Sequence, residues 1–402
     1  MEKIVVIGAG QAGFSLVESL RKQGHTGPIT LIGEESAPPY QRPPLSKAYL
    51  LGDMAVERLF LRPESFYADY DIELLTGTRV NAIDSNAKTI ALGNGGTLEY
   101  DKLALTTGAI PNRLPAGIGG NLAGVHVVRT LADTDAMQPE FRTGARVLII
   151  GGGYIGLEAA AVACKLGLKV TLVEMADRIL QRVAAKQTSD YFRALHASHG
   201  VEILEGVGLT RLNGDTRVTS ATLTDGSTLE VDFVIVGVGV QPDIALAETA
   251  GLTIENGIKT NSRCQTSDPH IFAAGDCASF PHQGAQIRME SVGNAIDQAQ
   301  AAASAMLGNA VEYSPKPWFW SDQFDVKLQI AGLNTGYDKV VTRGAGSEVS
   351  FWYYQGDKLL AVDAMNDPRS YMIGKRLIEA GKSPDAAIIA DLSSDLKSLL
   401  RG

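Results

Sequence analysis

Gly151-Gly152-Gly153-Tyr154-Ile155-Gly156-Leu157-Glu158 is the stretch whose reading decides the fold. An aliphatic run, Val147-Leu148-Ile149-Ile150, precedes it, and a helical pattern, Glu158-Ala159-Ala160-Ala161-Val162-Ala163, follows it. Strand, glycine turn and helix are the context in which such a motif binds a dinucleotide. The glycines let the backbone turn sharply and approach a pyrophosphate, and the helix N-terminus supplies free N–H donors with a partial positive charge. Beyond Gly167 a second strand, Lys169-Val170-Thr171-Leu172-Val173, ends at Glu174, an acid placed to accept hydrogen bonds from a ribose diol.

The same device opens the chain. Lys3-Ile4-Val5-Val6-Ile7 reads as a strand and Gly8-Ala9-Gly10-Gln11-Ala12-Gly13 as the turn. A helix runs through Leu20, and a strand, Ile29-Thr30-Leu31-Ile32-Gly33, ends at Glu34. Two complete fingerprints imply two dinucleotides with transfer between them; the alternative is a duplicated fold with one idle copy.

A chain of 402 residues has room for two or three domains. Its net charge of −9 argues against a general nucleic-acid binder. Cys164, Cys264 and Cys277 form no CxxC or other close pair, which fits a reducing compartment and argues against dithiol–disulfide chemistry. The first residues read as a strand broken by glycines rather than as a signal peptide, and no apolar run is long enough to span a bilayer. The expectation is a cytoplasmic protein without membrane contact.

Taken in order, Pro38-Pro39-Tyr40-Gln41-Arg42-Pro43-Pro44-Leu45-Ser46-Lys47 reads as a stiff, non-helical crossing that holds Arg42 and Lys47 in place, or else as a surface loop with solvated cations. Ile72 to Leu75 and Thr78 to Val80 read as short strands. Thr89–Leu92 and Thr97–Tyr100 read as a hairpin around Asn94-Gly95-Gly96. An apolar strand, Leu103 to Ala109, ends in small residues that permit close approach, and Pro111 to Gly120 marks a domain crossing. The second half repeats the plan. A helix is expected over Lys186 to His199, with a strand from Val201 and a hairpin around Asp225-Gly226. An apolar run, Phe233 to Gly239, closes the repeat. The strand Ile271 to Ala274 then delivers Asp276 to the sheet edge where ligands of open α/β sheets gather. Asp276 would accept from a sugar-like hydroxyl there, cap a helix, or do both. Past Glu312 the aromatics Trp318, Trp320, Phe351, Trp352, Tyr353 and Tyr354 concentrate, mostly as core, in an antiparallel α+β domain with helix near Tyr371 to Ala380. The fold class is therefore α/β, with two Rossmann-like domains arranged as in glutathione reductase and a C-terminal α+β domain. The boundaries fall at 1–113 with 240–315 for the domain of the first fingerprint, 114–239 for that of the second, and 316–402 for the third domain.

Five motifs together resemble the FAD- and NADH-dependent ferredoxin reductases that serve bacterial oxygenases and cytochromes P450, over essentially the whole chain. They are Arg42-Pro43-Pro44-Leu45-Ser46-Lys47, the Gly151 fingerprint, Ala274-Gly275-Asp276, Glu290-Ser291-Val292, and Phe319-Trp320-Ser321-Asp322-Gln323. The resemblance implies FAD on the first fingerprint, with Gly8, Gly10, Ala12 and Gly13 at the pyrophosphate, Glu34 on the ribose and Val80 at the adenine. It implies Arg129 on the flavin nucleotide, Asp276 on the ribityl chain and Val292 on the isoalloxazine, with Arg42, Thr107 and Gly108 also in the FAD site. It implies NADH on Gly151, Gly153, Tyr154, Ile155, Gly156, Glu158, Glu174, Arg182, Gly239 and Glu290. Lys47, paired with Glu158, would lie beside flavin N5, and Trp320 near the flavin at the domain junction. Thr106-Thr107-Gly108 stands where many relatives have Ala-Thr-Gly, and the segment from Asp276 to Arg288 is short, which would alter a docking surface.

The implied reaction is hydride transfer from NADH to FAD, then single-electron delivery to a [2Fe–2S] ferredoxin that supplies a P450 or a Rieske-type oxygenase. No metal ligand set or nucleophile is involved. Glu174 repels a 2′-phosphate, so NADH is expected over NADPH, although Arg178 and Arg182 lie nearby. Arg62, Arg288 and Arg369 are candidates for a ferredoxin rim, and the protein is expected to be a monomer or weak homodimer. The rivals are an NADH oxidase or peroxidase, a rubredoxin reductase, and an NADH-sensing flavoprotein of the apoptosis-inducing-factor type. The peroxidase would need a redox cysteine between Pro38 and Lys47, and none is there.

Overall fold

The structure, a computed structural model, describes residues 1–401. It contains two compact units. Met1–Gln41, Ala55–Ile110 and Val240–Lys316 form the first; Arg42–Met54, Pro111–Gly239 and the chain from Pro317 onward form the second.

The first unit is built on a five-stranded parallel sheet. Its order is Ile271–Ala273, Lys102–Leu105, Ile4–Ile7, Ile29–Ile32, Ile72–Leu75. Ile4–Ile7, Ile29–Ile32 and Ile271–Ala273 are buried at every position because both faces of the sheet are covered, and Thr30 is the one polar residue among them. Helix Gln11–Lys22 packs along helix Val292–Met306. Ala295, Ala299, Ala302 and Ala303 are buried on the latter, and their small side chains let the two backbones approach. The helix Val292–Met306 is capped by Ser291, whose hydroxyl accepts from Asn294 N–H at 3.1 Å.

The second unit repeats this sheet. Its order is Glu202–Glu205, Lys169–Glu174, Arg146–Ile150, Phe233–Val236, Val125–His126, all parallel. Each unit also carries a three-stranded antiparallel sheet: Val80–Asp84, Thr89–Leu92, Thr97–Glu99 in the first, and Leu209–Asn213, Ser220–Leu223, Thr228–Glu230 in the second. The C-terminal sheet is antiparallel, in the order Trp318–Gln323, Val326–Gly332, Lys358–Met365, Glu348–Gln355, Lys339–Ala345. One face of it shares a core with the Rossmann sheet: Val326, Leu328, Phe351 and Tyr353 join Val147, Ile149, Leu157 and Phe192. The other face, with Trp352, Tyr354 and Val362, packs on Tyr371, Ile373 and Leu377 of helix Pro368–Glu379. Each large side chain so buried contributes roughly 1.5–3 kcal/mol.

Four local readings change. Each expected hairpin is the outer part of three strands, because Val80–Asp84 and Leu209–Asn213 add to it. The strand expected from Thr78 begins at Val80; Thr78 instead turns the chain, its N–H donating to Gly33 O and its hydroxyl to Thr76 O. The proline-rich crossing is not wholly non-helical. Pro43–Ser46 makes one 3-10 turn, since proline at its first positions already has the required φ and lacks only an N–H that would be unpaired there. No helix follows Asp276, so it is not a helix cap; Ala278–His282 and Ala285–Arg288 form a hairpin instead, and the next helix waits for Ser291.

Candidate active site

Both glycine turns have the shape a pyrophosphate requires. In the first, Gly8 has φ +108°, and a Cβ there would lie 2.2 Å from Thr106 O; one on Gly13 would lie 2.0 Å from Gly8 O. Gly10, between them, faces open space, with nothing within 4 Å of where a Cβ would stand. The outer glycines thus serve packing, and the middle one leaves room for a ligand. The second turn repeats this: Gly151 and Gly156 are closed by backbone at 2.4 and 2.1 Å, and Gly153 is open. Gly10 and Gly153 are also the N-caps of helices Gln11–Lys22 and Tyr154–Lys165, and neither has a side-chain cap. The first-turn N–H groups therefore point at the open space. Thr106 shares its one hydroxyl proton between Ile7 O at 3.0 Å and Gly8 O at 2.8 Å, which ties the strand end to the turn. Residues and space fit a dinucleotide at both turns.

The remaining first-unit candidates surround their own turn's sheet. Glu34 pairs with Arg79 at 3.1 Å, and both are largely exposed. A pair so solvated contributes under about 1 kcal/mol, so the carboxylate exchanges readily onto a ligand hydroxyl. Val80 is buried. Thr107 Oγ1 donates to Asp243 O at 2.6 Å, and Asp243 N–H donates to Gly108 O at 2.9 Å, locking the strand exit. Asp276 follows Gly275, and its carbonyl accepts from Arg288 at 3.2 Å. Val292 is the first residue of its helix. Glu290, expected to touch NAD, lies in this unit and pairs with Arg288.

Lys47 and Glu158 meet in the second unit. Lys47 Nζ is 3.1 Å from Glu158 Oε1 and 3.4 Å from Asp322 Oδ2. Glu158 lies on the helix leaving the fingerprint and is only 3 % exposed. Ser321 Oγ donates to its Oε1 at 2.7 Å and Ser46 Oγ to its Oε2 at 2.8 Å. Burial pushes the Glu158 carboxyl above its ordinary range; Lys47 and the two hydroxyls oppose the shift without cancelling it. Trp320 lies over the lysine, its ring centroid 5.7 Å from Nζ, and stacks on Trp318. Arg42 reaches the backbone of Arg129, donating to its carbonyl at 2.7 Å.

At the nucleotide end of this unit, Glu174 is already engaged. Its Oε2 accepts from Gly152 N–H at 2.7 Å and its Oε1 from Ala176 N–H at 2.8 Å. Arg178 turns inward to the Ser189 hydroxyl and to Ala184 O at 2.9 Å. Arg182 is exposed beside Gly239, 3.6 Å from where a Cβ would stand there. Tyr154 begins the helix with its ring 4.8 Å from that of Phe319 and its hydroxyl buried without a partner; Ile155 is exposed.

Reading the sequence assigned no role to Ser46, Ser321, Gln323 or Asp322, although all four lie in the quoted motifs. The available signal was alternation: in strand Trp318–Gln323, Ser321 and Gln323 are buried and Asp322 is exposed, so polar residues occupy the inward face. The three arginines expected on a ferredoxin rim are each paired, Arg62 with Glu18 at 2.9 Å, Arg288 with Glu290 and Arg369 with Asp395. The three cysteines are free, and burial raises each thiol, Cys264 up to about 12, away from the reactive thiolate. No helix among the described residues is long and apolar enough to cross a membrane.

The profile of the pyridine nucleotide-disulphide oxidoreductases matches residues 2–303, and that of the reductase C-terminal domain matches 318–400. The chain belongs to the pyridine nucleotide-disulphide oxidoreductase family. Rhodocoxin reductase of Rhodococcus erythropolis is 42% identical over 401 residues, which span 98% of this chain and 93% of that protein. Putidaredoxin reductase of Pseudomonas putida is 40% identical, covering 99% of this chain and 97% of that protein. In the crystal structure of the covalent putidaredoxin reductase–putidaredoxin complex, a chain 39% identical superposes with a TM-score of 0.96 over 100% of this chain and 98% of its own length. This protein is an oxidoreductase that uses FAD and NADH.

Proposed function

We propose that this chain is an NADH-dependent ferredoxin reductase, passing electrons through FAD to a small [2Fe–2S] protein that supplies a P450 or Rieske-type oxygenase. The observation that carries the reading is the buried Lys47–Glu158 pair on the helix of the second fingerprint, in a chain whose thiols are all unpaired. A family member without a dithiol has no internal thiol acceptor, so its electrons leave for an external partner. Relatives named for rhodocoxin and putidaredoxin support a ferredoxin as that partner.

FAD, when bound, supplies hydride acceptance and one-electron release. The chain's own residues bind and orient. Gly8, Gly10, Ala12 and Gly13 would hold the FAD pyrophosphate on the helix N-terminus, and Glu34 and Val80 the adenosine. Thr107, Gly108, Asp276 and Val292 would serve the rest of the group, with Arg42 and Arg129 contributing. Gly151, Gly153, Tyr154, Ile155 and Gly156 would hold NADH, with Glu174 on its ribose and Arg182, Gly239 and Glu290 completing the site. Glu174 disfavours a 2′-phosphate, and Arg178 is committed to backbone and hydroxyl partners, so it offers that phosphate nothing. Lys47, Glu158 and Trp320 would set the rate of flavin reduction. The corresponding domains are 1–113 with 240–315 for FAD, 114–239 for NADH and 316–402 as the third, in a cytoplasmic monomer or weak homodimer.

The test is NADH-dependent cytochrome c reduction by the flavin-loaded protein, with and without a [2Fe–2S] ferredoxin. Fast turnover only with ferredoxin supports the reading. Equal turnover with rubredoxin and none with ferredoxin points to the rubredoxin class. A long-lived reduced protein with negligible turnover on either points to a sensor.

A further inference from the structure

Glu158 ends a buried line of hydrogen bonds that begins at His196. His196 Nε2 lies 2.8 Å from Gln323 Oε1, Gln323 Nε2 lies 3.1 Å from Ser321 Oγ, and Ser321 Oγ lies 2.7 Å from Glu158 Oε1. The four side chains come from three elements of the second unit, helices Lys186–Ser198 and Tyr154–Lys165 and strand Trp318–Gln323, and all are buried.

The anion at one end fixes the polarity of the whole line. A carboxylate only accepts, so the single hydroxyl proton of Ser321 goes to Glu158. Ser321 Oγ is then an acceptor towards Gln323, which must present its amide N–H₂. The amide oxygen of Gln323 therefore faces His196, which must donate from Nε2. A neutral imidazole has one N–H, so Nδ1 is left as a bare lone pair, and Nδ1 is the ring nitrogen that is buried without a partner. Burial holds the His196 ring down to about 4, consistent with a neutral ring. The ring packs edge-on against Phe324, 5.0 Å between centroids, which keeps it from turning.

Lys47 has two acids to choose between: Glu158, buried, and Asp322, about half exposed. Ser321 and Lys47 both engage Glu158 Oε1, so a hydroxyl held there fixes the oxygen the lysine meets. We propose that Gln323 and His196 are positioning residues for the Lys47–Glu158 pair: through Ser321 they aim one oxygen of Glu158 at the lysine and draw Lys47 inward from Asp322. This rests on the reading that the pair governs flavin reduction by NADH.

Gln323→Met keeps the volume and removes the donor and acceptor. In the flavin-loaded protein, the limiting stopped-flow rate of flavin reduction by NADH falls by up to about tenfold, the upper end of what the loss of one neutral hydrogen bond costs. The NADH Kd and the FAD content stay unchanged. In a Glu158→Gln background the same substitution causes no further loss. An unchanged rate in Gln323→Met, with Glu158→Gln slow, overturns the positioning role alone; an unchanged rate in Glu158→Gln overturns the parent reading. Equal losses by Gln323→Met in both backgrounds overturn the route through Glu158. If Gln323→Met does not fold, Ser321→Ala reads the same connection one link closer, with the same outcomes. Nitrogen-15 NMR of His196 at about pH 7 supplies a readout independent of turnover: the Nε2–H tautomer is expected, and the Nδ1–H tautomer or a protonated ring overturns the proposal.

Discussion

Lys47 Nζ stands 3.1 Å from Glu158 Oε1, and the acid is almost wholly buried while the lysine keeps an edge in solvent. The pair is therefore asymmetric: Glu158 depends on Lys47 more than Lys47 depends on Glu158, since Asp322 offers the lysine a second partner at 3.4 Å. Lys47→Ala leaves the carboxylate with only the Ser46 and Ser321 hydroxyls, and Glu158 takes up a proton more easily. The loss of stability should fall at or below the ~3 kcal/mol low end for a halved buried pair, because those hydroxyls still donate. The larger effect is on flavin reduction by NADH, which should slow by at least about tenfold in stopped flow. Reduction at the wild-type rate would remove Lys47 from the reaction.

Gly10 and Gly13 separate packing from binding. Gly13→Ala puts a methyl group 2.0 Å from Gly8 O, so the flavin-stripped protein itself should lose roughly 1–3 kcal/mol and melt earlier. Gly10→Ala meets no protein atom within 4 Å, so the stripped protein should melt as wild type while FAD affinity drops, the methyl group occupying pyrophosphate space. The check is melting of both stripped variants followed by titration with FAD. Wild-type FAD affinity in Gly10→Ala would mean that the first turn is not the flavin cradle.

The parts legible in the sequence were those whose physics is local. Gly8, Gly10 and Gly13 announced their turn because strand, glycines and helix are contiguous, and the same held at Gly151. The C-terminal antiparallel domain was legible from the aromatics concentrated between Trp318 and Tyr354, which its strands Trp318–Gln323 and Glu348–Gln355 carry. The pairing of Lys47 with Glu158 was not local, and only the family resemblance suggested it. Ser321 and Gln323 were masked by their neighbours: Phe319 and Trp320 drew attention to aromatic packing, while the inward polar residues of the same strand carried the hydrogen bonds to Glu158. Asp276 misled as a possible cap because a glycine–acid pair after a strand usually precedes a helix; here a hairpin intervenes, and nothing within Asp276–Arg288 excluded it.

Glu174 is the proposed determinant of which nicotinamide dinucleotide is preferred. Its oxygens accept from Gly152 and Ala176 N–H, which hold the charge at the end of strand Lys169–Glu174. Glu174→Gln keeps one acceptor and removes the charge. The ratio of kcat/KM for NADH over NADPH should narrow by about tenfold, with NADH itself losing roughly the 1 kcal/mol of one hydrogen bond. Measuring kcat/KM for both dinucleotides on purified protein decides it, and an unchanged preference would show that the Glu174 charge does not discriminate.

Asp363 is the test of pH dependence. It is fully buried; Thr188 Oγ1 donates to its Oδ2 at 2.7 Å, the Tyr353 hydroxyl donates to the same oxygen, and Oδ1 has no partner. Burial raises the carboxyl from 3.8 to about 6, against which the two hydroxyls pull only partly. The folded state therefore binds this proton more tightly than the unfolded chain. Below about pH 4 both states are protonated and the site costs nothing; as pH rises through about 6 the folded state must bury a charge, and stability falls by roughly 3 kcal/mol across that window. Asp363→Asn keeps an acceptor for Thr188 and Tyr353 but cannot ionise. Its stability relative to wild type should rise by about that amount between pH 4 and 7, on top of any constant cost of the buried amide. Urea unfolding of both proteins at several pH values measures the difference, and a difference that stays flat across the window would show that Asp363 is no more easily protonated folded than unfolded.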